Sequence, residues 1–372
     1  MRKLLALFIA LAMTLSLAAC GQPAEDTETT ETTETTDTAE TAAEEPAGEA
    51  AEAPEASDSG QMVFGYITPG PDTWYLRDVE GFQAAAELLG VEVVVLNSNY
   101  DVSEELANIE NLINQGVDGL SVFSFNESGA ITCAEQGAAA GIPVVATDSV
   151  GSVFDAEAEV AAAVDFDWEE MGVSYGNWMA DNYPNEDYVI ITGNFESVPC
   201  QTVNASMQET TESRGVNECL AIEDGDYTPA VAADKAEDLI NSGLDFKIIF
   251  VMDEDMAAAV RVRLEDMGVA DDYVIISQNG SEVGLEMLQA GTLAYTISSS
   301  PGWEGFVACL ALYHAAVAPD AEMETSYYLP IIPLDKDTDT SDPMQVVPWT
   351  VDVDCYKELT AQYFPELAAY VE

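Results

Sequence analysis

From residue 62 onward, short apolar runs rich in β-branched and aromatic residues alternate with stretches whose apolar positions recur at helical spacing. Residues 62–68 (MVFGYIT) read as a strand, and the helix after them carries Phe82, Ala85, Ala86, Leu88 and Leu89 to a terminating Gly90. A second strand at 91–96 is followed by Ile109, Leu112 and Ile113 on one helical face, ending at Gly116. The pattern continues with strands at 120–123, 142–147, 188–192, 219–223, 247–252, 273–277 and 293–298, and helices in most of the gaps, one of them ending at Gly141. After 298 come a helix over 303–317 and β-like pieces at 327–333 and 345–351. Continuous apolar strands separated by helices require a parallel sheet covered on both faces. A single (β/α)8 barrel and two open doubly wound sheets in series both satisfy that requirement. The repeat breaks near its middle, where the apolar run 161–164 follows strand 142–147 without a full amphipathic helix between them, and this favours two lobes.

The chain ahead of this body is of two other kinds. Arg2 and Lys3 precede an apolar stretch over 4–17, which is shorter than the roughly 20 residues that span a bilayer. It closes on Leu17-Ala18-Ala19-Cys20, small residues before a cysteine, and resembles the lipobox of bacterial lipoproteins. The resemblance implies a signal peptide over 1–19 and lipidation of Cys20, with the acyl chains holding the mature protein on the outer face of the membrane. Residues 21–60 contain 13 acidic side chains, no basic ones and no aromatic or large aliphatic ones, so they read as a disordered tether. A divalent-cation or cell-wall role for its acid and Thr repeat is the alternative to plain tethering.

Of 372 residues, 69 are acidic and 10 basic, a formal charge of −59. Nucleic acids and anionic lipid surfaces both need a basic patch, so neither is an expected partner. The tether accounts for only 13 of the acids, and the rest lie on the body.

Within the body, Asp72-Thr73-Trp74-Tyr75 with Glu80-Gly81-Phe82, then GVDGLSVF, AGIPVVATDS and FVMDEDMAAAV, in that order and spacing, resembles the type I periplasmic binding proteins of the ribose-binding kind. The likeness covers nearly all of 61–335. It implies an α/β fold of two doubly wound parallel-sheet lobes joined by a three-strand hinge, with ligand in the cleft between them. One lobe is expected from 61–165 plus 300–328 and the other from 166–299 plus 329–372, with crossings near 164–167, 298–301 and 327–333. The implied function is capture of a small polar solute and delivery to an ABC permease, by a lipid-anchored monomer with no cofactor. A sensor feeding a signalling partner has the same fold and the same closing motion.

Carried over residue by residue, the resemblance assigns the aromatic pair Trp74 and Tyr75 to the ligand ring and Asp72 to its hydroxyls. Asp148 matches the acidic residue after the fourth strand, and Asp253, Asn279 and Ser299 match polar ligand positions of the second lobe. Two arginines of the family are missing: Ser149 follows Asp148, and Gln201 stands at the other position. Without them the cleft carries acids and no counter-charge, which fits a neutral sugar or polyol or an amine-bearing ligand and disfavours an acidic one. The competing reading is that Arg77 or Arg214 serves the cleft. Other roles also remain open: Trp74 and Tyr75 as core residues, and Asp148 and Asp253 as helix caps.

Besides Cys20, cysteines stand at 133, 200, 219, 309 and 355 without CxxC spacing, and a helix expected between Cys200 and Cys219 argues against their pairing. The one histidine, His314, is expected on a helix near the surface, so zinc and a histidine-based nucleophilic site are not expected. Phosphate-loop and dinucleotide motifs are absent. The enzyme alternative is a glycoside hydrolase on a barrel, using Asp148 and Asp253.

Overall fold

The computed structural model describes residues 60–124 and 127–371. The signal peptide, Cys20 and all but the last residue of the acidic tether lie outside the described residues.

The first run of elements is β1 (Val63–Thr68), α1 (Thr73–Leu89), β2 (Glu92–Asn97), α2 (Val102–Gln115), β3 (Gly119–Phe123), α3 (Glu127–Ala140), β4 (Val144–Thr147), α4 (Val150–Asp155) and β5 (Ala162–Phe166). The second is α5 (Trp168–Asn182), β6 (Tyr188–Thr192), α6 (Val198–Arg214), β7 (Cys219–Asp224), α7 (Pro229–Asn241), β8 (Ile248–Val251), α8 (Glu254–Met267), β9 (Val274–Ser277), α9 (Glu282–Ala290) and β10 (Tyr295–Ser298). The chain ends with α10 (Pro301–Val317), β11 (Ser326–Leu329), β12 (Ile332–Asp335), α11 (Pro343–Val346), α12 (Val353–Tyr363) and α13 (Pro365–Ala368).

Two six-stranded sheets result, ordered β11-β5-β4-β3-β1-β2 and β12-β10-β9-β8-β6-β7, so the second repeats the winding of the first. Neither closes, which replaces the barrel alternative with two open lobes. All pairings are parallel except β10 with β12. Central strands such as β3, β5 and β6 are buried throughout, as a sheet covered on both faces requires, and the edge strands β2 and β7 are half-buried. The chain passes from one sheet to the other after β5, after β10 and between β11 and β12. The short α4 fills the break in the repeat before β5.

Each lobe packs one helix pair through glycines. A Cβ on Gly81 of α1 would lie 1.8 Å from the Gly302 carbonyl of α10, and one on Gly305 would lie 2.0 Å from the Asp78 carbonyl. In the second lobe a Cβ on Gly172 of α5 would lie 2.5 Å from the Val203 carbonyl of α6.

The C-terminal stretch departs from expectation. β12 joins the second sheet, but α12 and α13 pack on α10 beside the first. The cause is α10 itself, whose apolar residues run round the helix and therefore need cover away from the sheet. Phe306 meets Tyr356 edge-on, and the Trp303 indole N–H donates to Thr360 Oγ1 at 3.1 Å. The same cover buries His314, expected near the surface, to 7% exposure, with Tyr370 at 3.1 Å from its Nδ1. The β-like piece at 345–351 is instead the short α11, capped by Asp342, and an irregular segment after it. The five cysteines of the described residues are all free.

Candidate ligand-binding site

The residues singled out above lie where strands of both sheets end and helices begin, the edge of an open α/β sheet where ligands bind. In the first lobe, Asp72 stands at the N-cap of α1 without capping it through its side chain, and its carboxylate accepts the Tyr100 hydroxyl. Trp74 and Tyr75, adjacent on a helix, point about 100° apart. Tyr75 meets Phe123 and Tyr100 edge-on at 5.0 and 6.2 Å between centroids, while Trp74 meets Phe166 at 6.1 Å and Trp349 at 5.3 Å. Both are half-buried, so they belong to a wall and not to the closed core.

In the second lobe, Asp253 does two things. One oxygen caps α8 by accepting the Met256 N–H at 3.0 Å, and the other accepts the Asn279 amide at 3.2 Å. Asn279 holds a left-handed φ of 120°, and its carbonyl accepts both the Ser299 N–H at 2.9 Å and the Trp349 indole N–H at 3.0 Å. The Ser299 hydroxyl is fully buried without a partner. Trp349 therefore links Trp74 of the first lobe to Asn279, and through it to Asp253 and Ser299, of the second. Gln201 stands apart from this chain of contacts: it is exposed, and its amide donates to the Phe195 carbonyl at 2.7 Å.

Asp148 follows β4 with a φ of 54°, while Ser149 takes the N-cap position of α4. Burial, then the nearby Asp165, push the Asp148 carboxyl well above the usual carboxylate range. Burial likewise pushes Asp165 up to about 6, against hydrogen bonds from the Phe166 and Val150 N–H groups and the Trp168 indole. Burial lifts Asp253 to about 6 as well. The arginines do not answer these charges. Arg214 sits in the last turn of α6, bound to Asp181 and Asn177, and Arg77 is held by Glu80 at 2.7 Å and by Glu282 of the second lobe at 4.0 Å. Among the described residues no ion pair reaches Asp72, Asp148 or Asp253.

Residues 64–319 match the periplasmic binding protein domain family. The chain belongs to that family. Among curated relatives, the ribose import binding protein of Bacillus subtilis is 22% identical over 60% of this chain and 70% of its own length. The ribose import binding protein of Haemophilus influenzae is 26% identical over 60% of this chain and 74% of its own. Among solved structures, an ABC transporter solute-binding protein of Bacillus halodurans with bound myo-inositol superposes with a TM-score of 0.69 at 19% identity, covering 75% of this chain and 96% of that one. One from Burkholderia graminis in complex with D-arabinose gives 0.69 at 18% identity, covering 77% and 99%. These likenesses establish the fold of two α/β lobes.

Two features of this periplasmic binding protein escape sequence reading. Trp349 lies beyond the matched residues, in a segment that periodicity cannot assign to a cleft. The other is a repeated corner. Tyr100 after β2 and Tyr227 after β7 both take left-handed backbone, at φ 58° and 46°, each after another left-handed residue, Asn99 or Asp226. Their N–H groups donate to the Pro69 and Gly193 carbonyls, both at 2.9 Å, and their rings lie where a Cβ on Gly70 or Gly193 would stand. The signal in the sequence is Asn-Tyr-Asp in one half and Asp-Tyr-Thr in the other, each one residue beyond the second strand of its half.

Proposed function

We propose that this protein is an extracytoplasmic, lipid-anchored solute-binding protein that captures a sugar or polyol by closure of its two lobes and hands it to an ABC permease. The observation that carries the reading is the pairing of an aromatic wall, Trp74 and Tyr75, with Asp72, Asp148, Asp253 and Asn279 at the strand ends of both lobes, with no arginine on these carboxylates. Carboxylates and an amide accept and donate to hydroxyls, and the rings cover an apolar sugar face. The relatives named for ribose import, and the similar structures that hold myo-inositol and arabinose, support this ligand class. Ligand touching both lobes stabilises the closed form, with bending at the three crossings, and the permease reads that form. Cys20 is the proposed lipidation site, and the acidic tether sets the body off the membrane. The protein performs no chemistry on its ligand, in keeping with its family, and acts as a monomer.

The unanswered carboxylates favour one second reading, an amine-bearing ligand with its cation on the aromatic pair. Thermal unfolding of the fragment 61–372 against sugars, polyols, nucleosides and amines separates the two. A true ligand at roughly 100 times its Kd adds about 2.7 kcal/mol. No shift with any of these compounds overturns both readings.

A further inference from the structure

Beneath the strand ends of the first lobe, Asp148 stands with further acids that solute binding does not explain. Asp148 after β4, Asp165 on β5 and Glu304 on α10 each bring one carboxylate oxygen to within 4.8 Å of the other two. Glu304 is fully buried, and neither of its oxygens has a hydrogen-bond partner. Asp78 of α1 is also fully buried; one of its oxygens accepts the Tyr66 hydroxyl and the other has no partner. Its charge acts on both Glu304 and Asp148, so it stands beside the trio. No ion pair of the described residues involves any of the four.

An isolated buried carboxylate is costly, and several in contact are more so, unless a donor or a cation answers them. Elsewhere in this protein the need is met: the buried Glu254 accepts from the Gly280 N–H, the Ser281 N–H and hydroxyl, and the Thr296 hydroxyl. Around Glu304 the Asp148 N–H comes near, but it donates to the Val164 carbonyl at 3.0 Å and leaves both carboxyl oxygens without a partner among the described residues. We infer that Asp148, Asp165 and Glu304 form a site for a hard divalent cation such as calcium, set in the floor of the cleft. An all-oxygen donor set with no sulfur or imidazole selects calcium, magnesium or manganese over zinc. Calcium binds oxygens at about 2.3–2.6 Å, so ligands up to roughly 5 Å apart share one ion, which the trio satisfies. Three carboxylates leave further positions for oxygen ligands, and Asp148, the half-buried member, is the side on which water or a solute oxygen reaches the ion. The ion would supply the positive charge that no arginine or lysine brings to these carboxylates, but its binding does not depend on the sugar reading.

Trp168 offers a probe, because its indole N–H lies 2.7 Å from Asp165 Oδ1. The chelator-stripped full chain is titrated with terbium under tryptophan excitation; the acidic tether also attracts terbium but contains no tryptophan. The expected result is sensitised emission that calcium displaces, together with a calcium-dependent rise in Tm at fixed ionic strength. Glu304→Gln, close in shape, should weaken displacement by roughly tenfold or more, and Asp165→Asn should do the same. Wild-type protein with neither displaceable emission nor a calcium-dependent Tm overturns the site, whatever the variants do, and means that protons alone neutralise the cluster. Emission and displacement unchanged in a folded Glu304→Gln protein also overturn it, placing the ion on the surface.

Discussion

Trp349 stands edge-on to Trp74, with ring centroids 5.3 Å apart and planes at 89°, and its indole N–H is bonded to the Asn279 carbonyl at 3.0 Å. A side chain from the C-terminal segment thus touches α1 of one lobe and the β9–α9 turn of the other. Trp349→Phe keeps a ring against Trp74 and removes the bond to Asn279, which is expected to cost about 1 kcal/mol of stability. Trp349→Ala removes both, at about 3–5 kcal/mol. Urea unfolding measures both costs. Calorimetric titration with the identified ligand should show the larger loss of affinity in the alanine variant.

The contrast between the residue pairs at this site explains what was legible in the sequence. Strand and helix positions follow from local periodicity, so the alternation of strands and helices and the strand-end acids Asp148 and Asp253 are legible in the sequence. Trp74 with Trp349, and Asn279 with Asp253, depend on contacts between distant segments, and no local pattern encodes which indole meets which helix. His314 is expected near the surface for the same reason: nothing in its own helix shows that Tyr370, far along the chain, covers it. Gln201 matched a family position by order in the chain, yet its amide is taken up by the Phe195 carbonyl.

Tyr66 and Asp78 form a buried pair in which the hydroxyl is the one donor to the carboxyl. Tyr66→Phe keeps the packing against Phe82 and leaves the acid unanswered, so a loss of about 1–3 kcal/mol is expected. Asp78→Asn in the same background should recover part of it, because a neutral group is cheaper to bury. Chemical denaturation of the two single variants and the double variant gives the coupling.

The interface of α1 with α10 leaves no room for a side chain at Gly81, where a Cβ would meet backbone and not a flexible chain end. Gly81→Ala must push the helices apart, and a loss of about 3 kcal/mol or more is expected. Thermal unfolding should show it, whereas Gly151→Ala, with no heavy atom near the added Cβ, leaves the midpoint nearly unchanged.

Burial pushes Glu254 up to about 7, in spite of the donors around it. A free glutamate titrates near about 4.3. Between those values the folded protein holds a proton that the unfolded chain has released, so stability is higher at the acid end and falls as pH rises toward 7, by a few kcal/mol. Asp253, lifted to about 6, acts in the same direction. Unfolding free energies measured across pH 4.5–7.5 should show that slope, and Glu254→Gln should make it shallower, not abolish it, because burial also raises Asp78, Asp148, Asp165 and Glu304, even if the substitution lowers stability at every pH.

Asp148 separates structural from functional selection. Its carboxyl is pressed against Asp165 in left-handed backbone, one of its oxygens is buried without a partner, and no base answers it. A residue kept for the fold alone would not be left so. Asp148→Asn removes the repulsion and keeps the shape, so in chelator and without ligand the variant is expected to gain about 1 kcal/mol or more of stability at pH 7.5. The same variant should lose ligand binding by an order of magnitude or more, because a neutral amide accepts hydroxyls less strongly than a carboxylate. Thermal unfolding with and without ligand reads both effects in one experiment. A variant that is less stable and binds normally would mean that Asp148 serves the β4 turn and not the cleft.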